Sequence, residues 1–215
     1  MKLKLHAILF FFILLLFLSL SESLKAQKDQ SVGRVLEVIG TAHISSIETS
    51  PIIRGKEINI SDTLTTSSDG FIELAFLKHS RIYLKSGSQL VFHRSEHLEM
   101  QHIRPKLLSG EMLIETVESP FPIQVTTPTA IASASHAKYS IIIERNGSTT
   151  FTGIDGTAEI TAASSGESQM LSRRSKLSTD MRGQYFTIQH ISNREINGVM
   201  NMYNRSSNGI PKIKQ

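Results

Sequence analysis

From Val32 onward, apolar and polar positions alternate in short runs, and Gly, Ser, Asn, Asp or Pro separates nearly every run from the next. A period of two marks a strand with one buried face. Gly70 to Phe76 places Ile72, Leu74 and Phe76 on one face, and Arg81 to Lys85 turns Ile82 and Leu84 inward between polar neighbours. The same pattern predicts strands at Gln89 to His93, Lys106 to Thr116, Ile123 to Thr126, Lys138 to Glu144, Thr149 to Gly153 and Thr157 to Thr161. Asp69-Gly70, Asn146-Gly147 and Asp155-Gly156 are hairpin-type dipeptides, since both central residues of the favoured hairpin turn need positive φ. No amphipathic helix is predicted between Val32 and Ile188. The reading is an all-β domain, a sandwich or a short solenoid-like roll of roughly 11 to 14 short strands, because both architectures alternate.

The end of the chain has a different period. Ser192 to Glu195 forms a capping-box pattern, and Ile196, Val199, Met200 and Tyr203 follow at helical spacing. This predicts one C-terminal helix of about three turns, closed by Asn208 and Gly209, with its apolar stripe docked on the β domain. The domain expectation is a β domain over 27–190, then helix and tail over 191–215.

The beginning is a third kind of sequence. Lys2 and Lys4 precede an unbroken apolar run from Ala7 to Leu18, and small, more polar residues lead to Ala26. That layout predicts a secretory signal peptide over 1–26, cut after Ala26 or after Ser23. The run is shorter than the roughly 20 apolar residues of a membrane span. Retention as an N-terminal anchor therefore requires the whole stretch from Leu5 to Leu20, and the expected location is periplasmic or secreted, or inner-membrane anchored if the segment stays.

Removing 26 residues leaves 189 of the 215, and 20 Lys and Arg against 18 Asp and Glu instead of 23 against 19. A near-neutral balance with dispersed charges gives no electrostatic case for nucleic acid. The chain contains no Cys. This rules out disulfides, thiol nucleophiles, cysteine metal sites and a lipid-modified N-terminus, so the exported domain rests on its own core.

Candidate chemistry is sparse. His93, His97 and Glu99 share a face in strand geometry and are the weak candidates for a metal site, whereas His102 falls on the other face. Ser135 and Lys138 have the S-x-x-K spacing, yet they lie between predicted strands and lack the accompanying motifs of penicillin-recognising enzymes. The chain shows no nucleophile elbow, zincin motif, phosphate loop or dinucleotide fingerprint. No catalytic residue or cofactor is predicted.

Several segments, in order, resemble the FecR family: Val32 to Ala42; Arg54-Gly55; Ile60 to Thr66, with Ser61 where the family has glycine and Asp62, Leu64 and Thr66 matching; Leu108 to Ile114 around Gly110; Phe121 to Val125; Thr127-Pro128-Thr129-Ala130; Thr157 to Ile160; and Met181 to Gln184 around Gly183. The resemblance spans Val32 to Gln184. It departs from the family at His136 to Tyr139, where a Gly-Thr-x-Phe turn and strand is usual. The physical reading of Gly55, Gly110, Gly183, Thr127, Pro128 and Ala130 is structural, at strand ends and reversals. Asp62 is expected to accept backbone N–H groups in its own turn.

The resemblance implies a bacterial sensor or regulatory protein of the periplasm. Signalling members carry a cytoplasmic segment that contacts a sigma factor. About six residues precede the apolar run here, so that contact is not expected. The expected function is a non-enzymatic protein-interaction or signal-receiving module of the cell envelope, with an envelope protein as partner. The alternative is binding of a cell-wall glycan, for which Tyr83, Tyr139 and Tyr185 are the candidate exposed aromatics.

Overall fold

The computed structural model describes residues 31–94 and 103–207. The predicted signal segment, 1–26, lies outside them, as do His97, Glu99 and the predicted helix stop at Asn208 and Gly209.

The chain runs through β1 (Ser31–Ile39), β2 (Ala42–Ser45), β3 (Thr49–Pro51), β4 (Glu57–Asn59), β5 (Thr63–Thr66), β6 (Phe71–Phe76), β7 (Ser80–Leu84), β8 (Gln89–Arg94), β9 (Ile103–Thr116), β10 (Ile123–Thr126), β11 (Ala130–Ala134), β12 (Ala137–Ile143), β13 (Thr149–Ala162), β14 (Ser168–Ser172), β15 (Ser175–Thr179), β16 (Phe186–His190) and the helix α1 (Asn193–Ser207). The all-β class with one C-terminal helix is thus observed. The strands exceed the expected 14 because three-residue pieces such as β3 and β4, too short to show a period, pair at the margins.

Two layers form. The first runs β4-β1-β6-β7-β9-β12-β13-β15-β16. The second runs β3-β2-β5-β8-β9-β10-β11-β13-β14. All these pairings are antiparallel except β9 with β10, so the strands form a closed, barrel-like sandwich and not parallel solenoid coils.

β9 and β13 belong to both layers. Residues 103–109 of β9 pair in the second layer and 110–116 in the first. β13 passes from the first layer to the second after Gly156. Strands that change layer make the corners of such sandwiches. Gly110 is the corner of β9, with φ +88° and a Cβ position only 2.5 Å from the Ser88 Cα, so no side chain fits. Ser88 fastens this corner: its hydroxyl donates to the Glu111 carbonyl at 3.0 Å and accepts the Glu111 N–H at 2.9 Å.

The hairpin dipeptides divide accordingly. Asn146-Gly147 returns β12 into β13, with Ile143 opposite Thr149. Asp155-Gly156 makes no hairpin, since the strand bends there and continues. Asp69-Gly70 carries the chain from β5 in one layer to β6 in the other.

The core lies between the layers, where Phe76 of one faces Phe92 of the other with ring centroids 5.6 Å apart. A second apolar cluster covers the outer face of the first layer. There Ile196, Val199, Met200 and Tyr203 of α1 pack on Ile39, Phe71, Tyr83, Leu113 and Ile154. The predicted docking of the helical stripe is therefore present. The capping box is also formed, since the Glu195 N–H donates to the Ser192 hydroxyl at 3.3 Å and the Ser192 N–H donates to the Glu195 carboxylate at 2.9 Å. Farther along α1 the Tyr203 hydroxyl donates to Glu111 at 3.1 Å, while Lys85 holds the other Glu111 oxygen at 2.7 Å and stands 5.6 Å from the Tyr203 ring.

Candidate functional site

The residues singled out by the family resemblance build turns and joints. Gly55 sits at φ +85° in the turn before β4, and its N–H donates to the Val35 carbonyl at 2.8 Å. Asp62 is 2% exposed and accepts the Asn59 N–H at 2.7 Å within its own turn, together with the Ser46 hydroxyl. The preceding Ser61 has φ +74°, a left-handed backbone that glycine adopts without strain. At His136 the other family glycine is replaced without such a penalty, since His136 is not among the positive-φ residues.

The Thr127 to Ala130 turn joins β10 to β11. Thr127 closes it by accepting the Ala130 N–H at 3.0 Å, while Pro128 points to solvent and Ala130 is buried. The adjoining Thr129 hydroxyl donates to that of Thr149 at 2.6 Å and lies 2.7 Å from that of Thr179, forming a buried hydroxyl relay between layers. Gly183 packs on this turn so closely that a Cβ would fall 2.5 Å from the Thr129 carbonyl. The Thr-Pro-x-Ala segment and the closing glycine, far apart in sequence, therefore make one joint. Sequence reasoning missed Asp180, which shapes the turn around Gly183: its carboxylate accepts the N–H groups of Tyr185 at 3.0 Å, Gln184 at 2.6 Å and Arg182 at 3.3 Å. These bonds hold the Asp180 carboxyl below its ordinary range.

Of the candidate metal ligands only His93 is described. Burial, and then Lys106 and Arg104, push its imidazole below the ordinary range. Among the described residues no group of three His, Cys, Asp or Glu side chains is placed to share a metal ion. The three candidate sugar-stacking tyrosines do not form a face. Tyr139 is in the core, Tyr83 is half covered by α1, and Tyr185 alone is exposed, at 69%. Their alternation with polar neighbours could not distinguish an inner face from an outer one.

One cleft of about 920 Å³, within the range of ligand-binding clefts, opens on the side of the sandwich. Its apolar wall includes Val32, Leu77, Ile103, Phe121 and Ile123, and its polar rim includes Lys78, His79, Arg104 and Gln124. Arg34 and Glu57 also line it and engage each other at 3.2 Å. None of these residues was a sequence candidate, because the wall is assembled from β1, the β6–β7 turn, the start of β9 and the loop into β10.

Fold and joint define a class, the two-layer β domain whose layers share bent strands. Crystal structures of a "putative anti-sigma factor" from Parabacteroides distasonis ATCC 8503, at 1.65 and 2.50 Å, have this fold. Each aligns with a TM-score of 0.53 over 64% of this chain, at 9% and 8% identity respectively. The alignments cover 64% and 63% of those chains, a little under two thirds of their length. No curated protein matches the chain. Residues 62–159 match the model of the family described as FecR protein.

Proposed function

We propose that this protein is a non-catalytic interaction and signal-receiving module of the bacterial cell envelope, exported by its first 26 residues and acting by contact with another envelope protein. The observation that carries this reading is the FecR match over residues 62–159. The conformation agrees with it: the family-motif residues Asp62, Thr127 and Gly183 serve turns and buried joints, which makes them supports for a surface. The shared fold with an anti-sigma factor structure supports a regulatory role and leaves the partner to be identified.

The test is photo-crosslinking of the full chain in intact cells, with mass spectrometry of the attached protein and of the N-terminus. An envelope protein attached to a chain beginning near Gln27 is the expected result. Attachment to cytoplasmic proteins alone, on a chain that keeps Met1 and stays inside the cell, overturns the proposal.

A further inference from the structure

The cleft opens where two strands part. β9 and β10 run parallel and are bridged at one pair, Thr126 with Lys106. Upstream of that bridge, Ile103 and Arg104 of β9 and Ile123 and Gln124 of β10 line the cleft. Over these residues β9 pairs with β8 and β10 pairs with β11, and among the described residues neither has a strand on its other side. Each therefore turns a strand edge toward the cleft, and an edge carries main-chain donors and acceptors that a further strand can engage.

The side chains alternate with the backbone. Ile103 and Ile123 are buried on the inner side, while Arg104 and Gln124 stand on the outer side. A strand lying here meets an apolar floor with every second side chain and a polar rim with the others. The rim has a sign. Glu57 is the sole carboxylate among the described lining residues and is already engaged by Arg34. Lys78 and Arg104 belong to none of the ion pairs among the described residues, and the Arg104 Nε is buried without a hydrogen-bond partner.

We propose that this cleft receives an extended segment of a partner protein, with acidic residues alternating with apolar ones, added as a strand to the free edge of β10. The proposal rests on the interaction function above and gives that function a site. An anionic lipid shares the charge and the apolar character but offers no main-chain partners to a strand edge, and it enters as an outcome of the test.

The probe is a fluorescent hexapeptide alternating Asp and Val, titrated into the full chain by anisotropy beside a Lys–Val peptide, a backbone N-methylated Asp–Val peptide and dodecanoate. Saturable binding of the Asp–Val peptide alone is expected, with slowed amide exchange at Gln124, whose N–H faces the free edge while those of Ile123 and Val125 face β11. Binding should weaken by about tenfold or more in the K78E/R104E chain. Absence of saturable Asp–Val binding, equal binding of the Lys–Val or N-methylated peptide, unchanged exchange at β10, or binding of dodecanoate in its place each overturns the proposal. The unmodified chain with the N-methylated peptide keeps the test decisive if the double variant unfolds. In-cell crosslinking of K78E/R104E separates the two readings. An envelope partner retained at full yield leaves the function standing and removes this cleft as its site, whereas lack of any envelope partner on the unmodified chain overturns the function itself.

Discussion

The Tyr139 hydroxyl lies in the core, 1% exposed as a residue, with no hydrogen-bond partner among the described residues, and burial pushes its phenol well above the ordinary range. A buried hydroxyl without a partner keeps its desolvation cost, roughly 1–3 kcal/mol. Tyr139 also stands where the family pattern has phenylalanine. Tyr139→Phe is therefore expected to raise stability by about 1 kcal/mol, read as a higher urea midpoint at an unchanged slope; a lower midpoint would show that the hydroxyl is satisfied. Ser61 is a second departure from the family pattern. At φ +74° an L-residue carries a backbone penalty of about 1–2 kcal/mol, partly offset because glycine loses more chain entropy on folding. The Ser61 side chain is exposed, and its N–H bond to the Phe92 carbonyl survives substitution. Ser61→Gly should stabilise by about 0.5–1 kcal/mol in the same denaturation experiment, and destabilisation would contradict the strain argument. Both residues stood out in the sequence as mismatches to a pattern, but their cost becomes visible only with φ and burial known.

Elements were legible to the degree that their determinants are local. The helix α1 carries its start signal and its buried stripe within its own residues, so its place and its docked face follow from Ser192, Glu195 and the spacing from Ile196 to Tyr203. Asn146-Gly147 was legible as a hairpin for the same reason, because both flanking runs alternate in register. Asp155-Gly156 has the same chemistry and a different outcome. Whether a glycine returns a strand or bends it across the sandwich is decided by distant partners, here β12 and β15 on one side and β11 and β14 on the other. The cleft was not legible at all, since Lys78, Arg104 and Gln124 come from three separate segments. The capping box supplies an element-scale prediction. Hydrogen bonds from the Ser192 N–H, then from its hydroxyl, hold the Glu195 carboxyl below the ordinary 4.5. A carboxyl lowered in the folded state adds stability above its unfolded value and loses it as pH falls through the folded one. Helix content by circular dichroism should thus decline in part as pH drops below about 4.5, ahead of loss of the sheet signal. In Glu195→Gln this early step should vanish, and an identical acid profile in the variant would remove the capping box as its cause.

At the scale of the whole molecule, two apolar clusters depend on different partners. The inner cluster is closed by the two β layers themselves, whereas the outer one, with Phe71, Leu113 and Ile154 on the sheet, is closed by α1. The helix is held there by more than apolar contact. Tyr203 reaches Glu111 and shares it with Lys85, and burial together with Glu111 raises the Tyr203 phenol far above its ordinary range. The apolar stripe of α1 is therefore consumed within the chain, which directs the search for a partner surface to the cleft at the start of β9. It also makes the helix the cover of a sheet face that would otherwise be an association site, since contiguous exposed apolar patches promote self-association. Ending the chain after Ile191 should preserve the strand signal, because the inner core is untouched. The same truncation should increase binding of an apolar dye and produce concentration-dependent oligomers in light scattering. Tyr203→Phe in the full chain, which keeps the ring and removes its bond to Glu111, should scatter light as the unmodified chain does, with a loss of about 1 kcal/mol or somewhat more. A truncated chain that scatters light as the full chain does and stays dye-silent at the same concentrations would show that the outer face needs no cover.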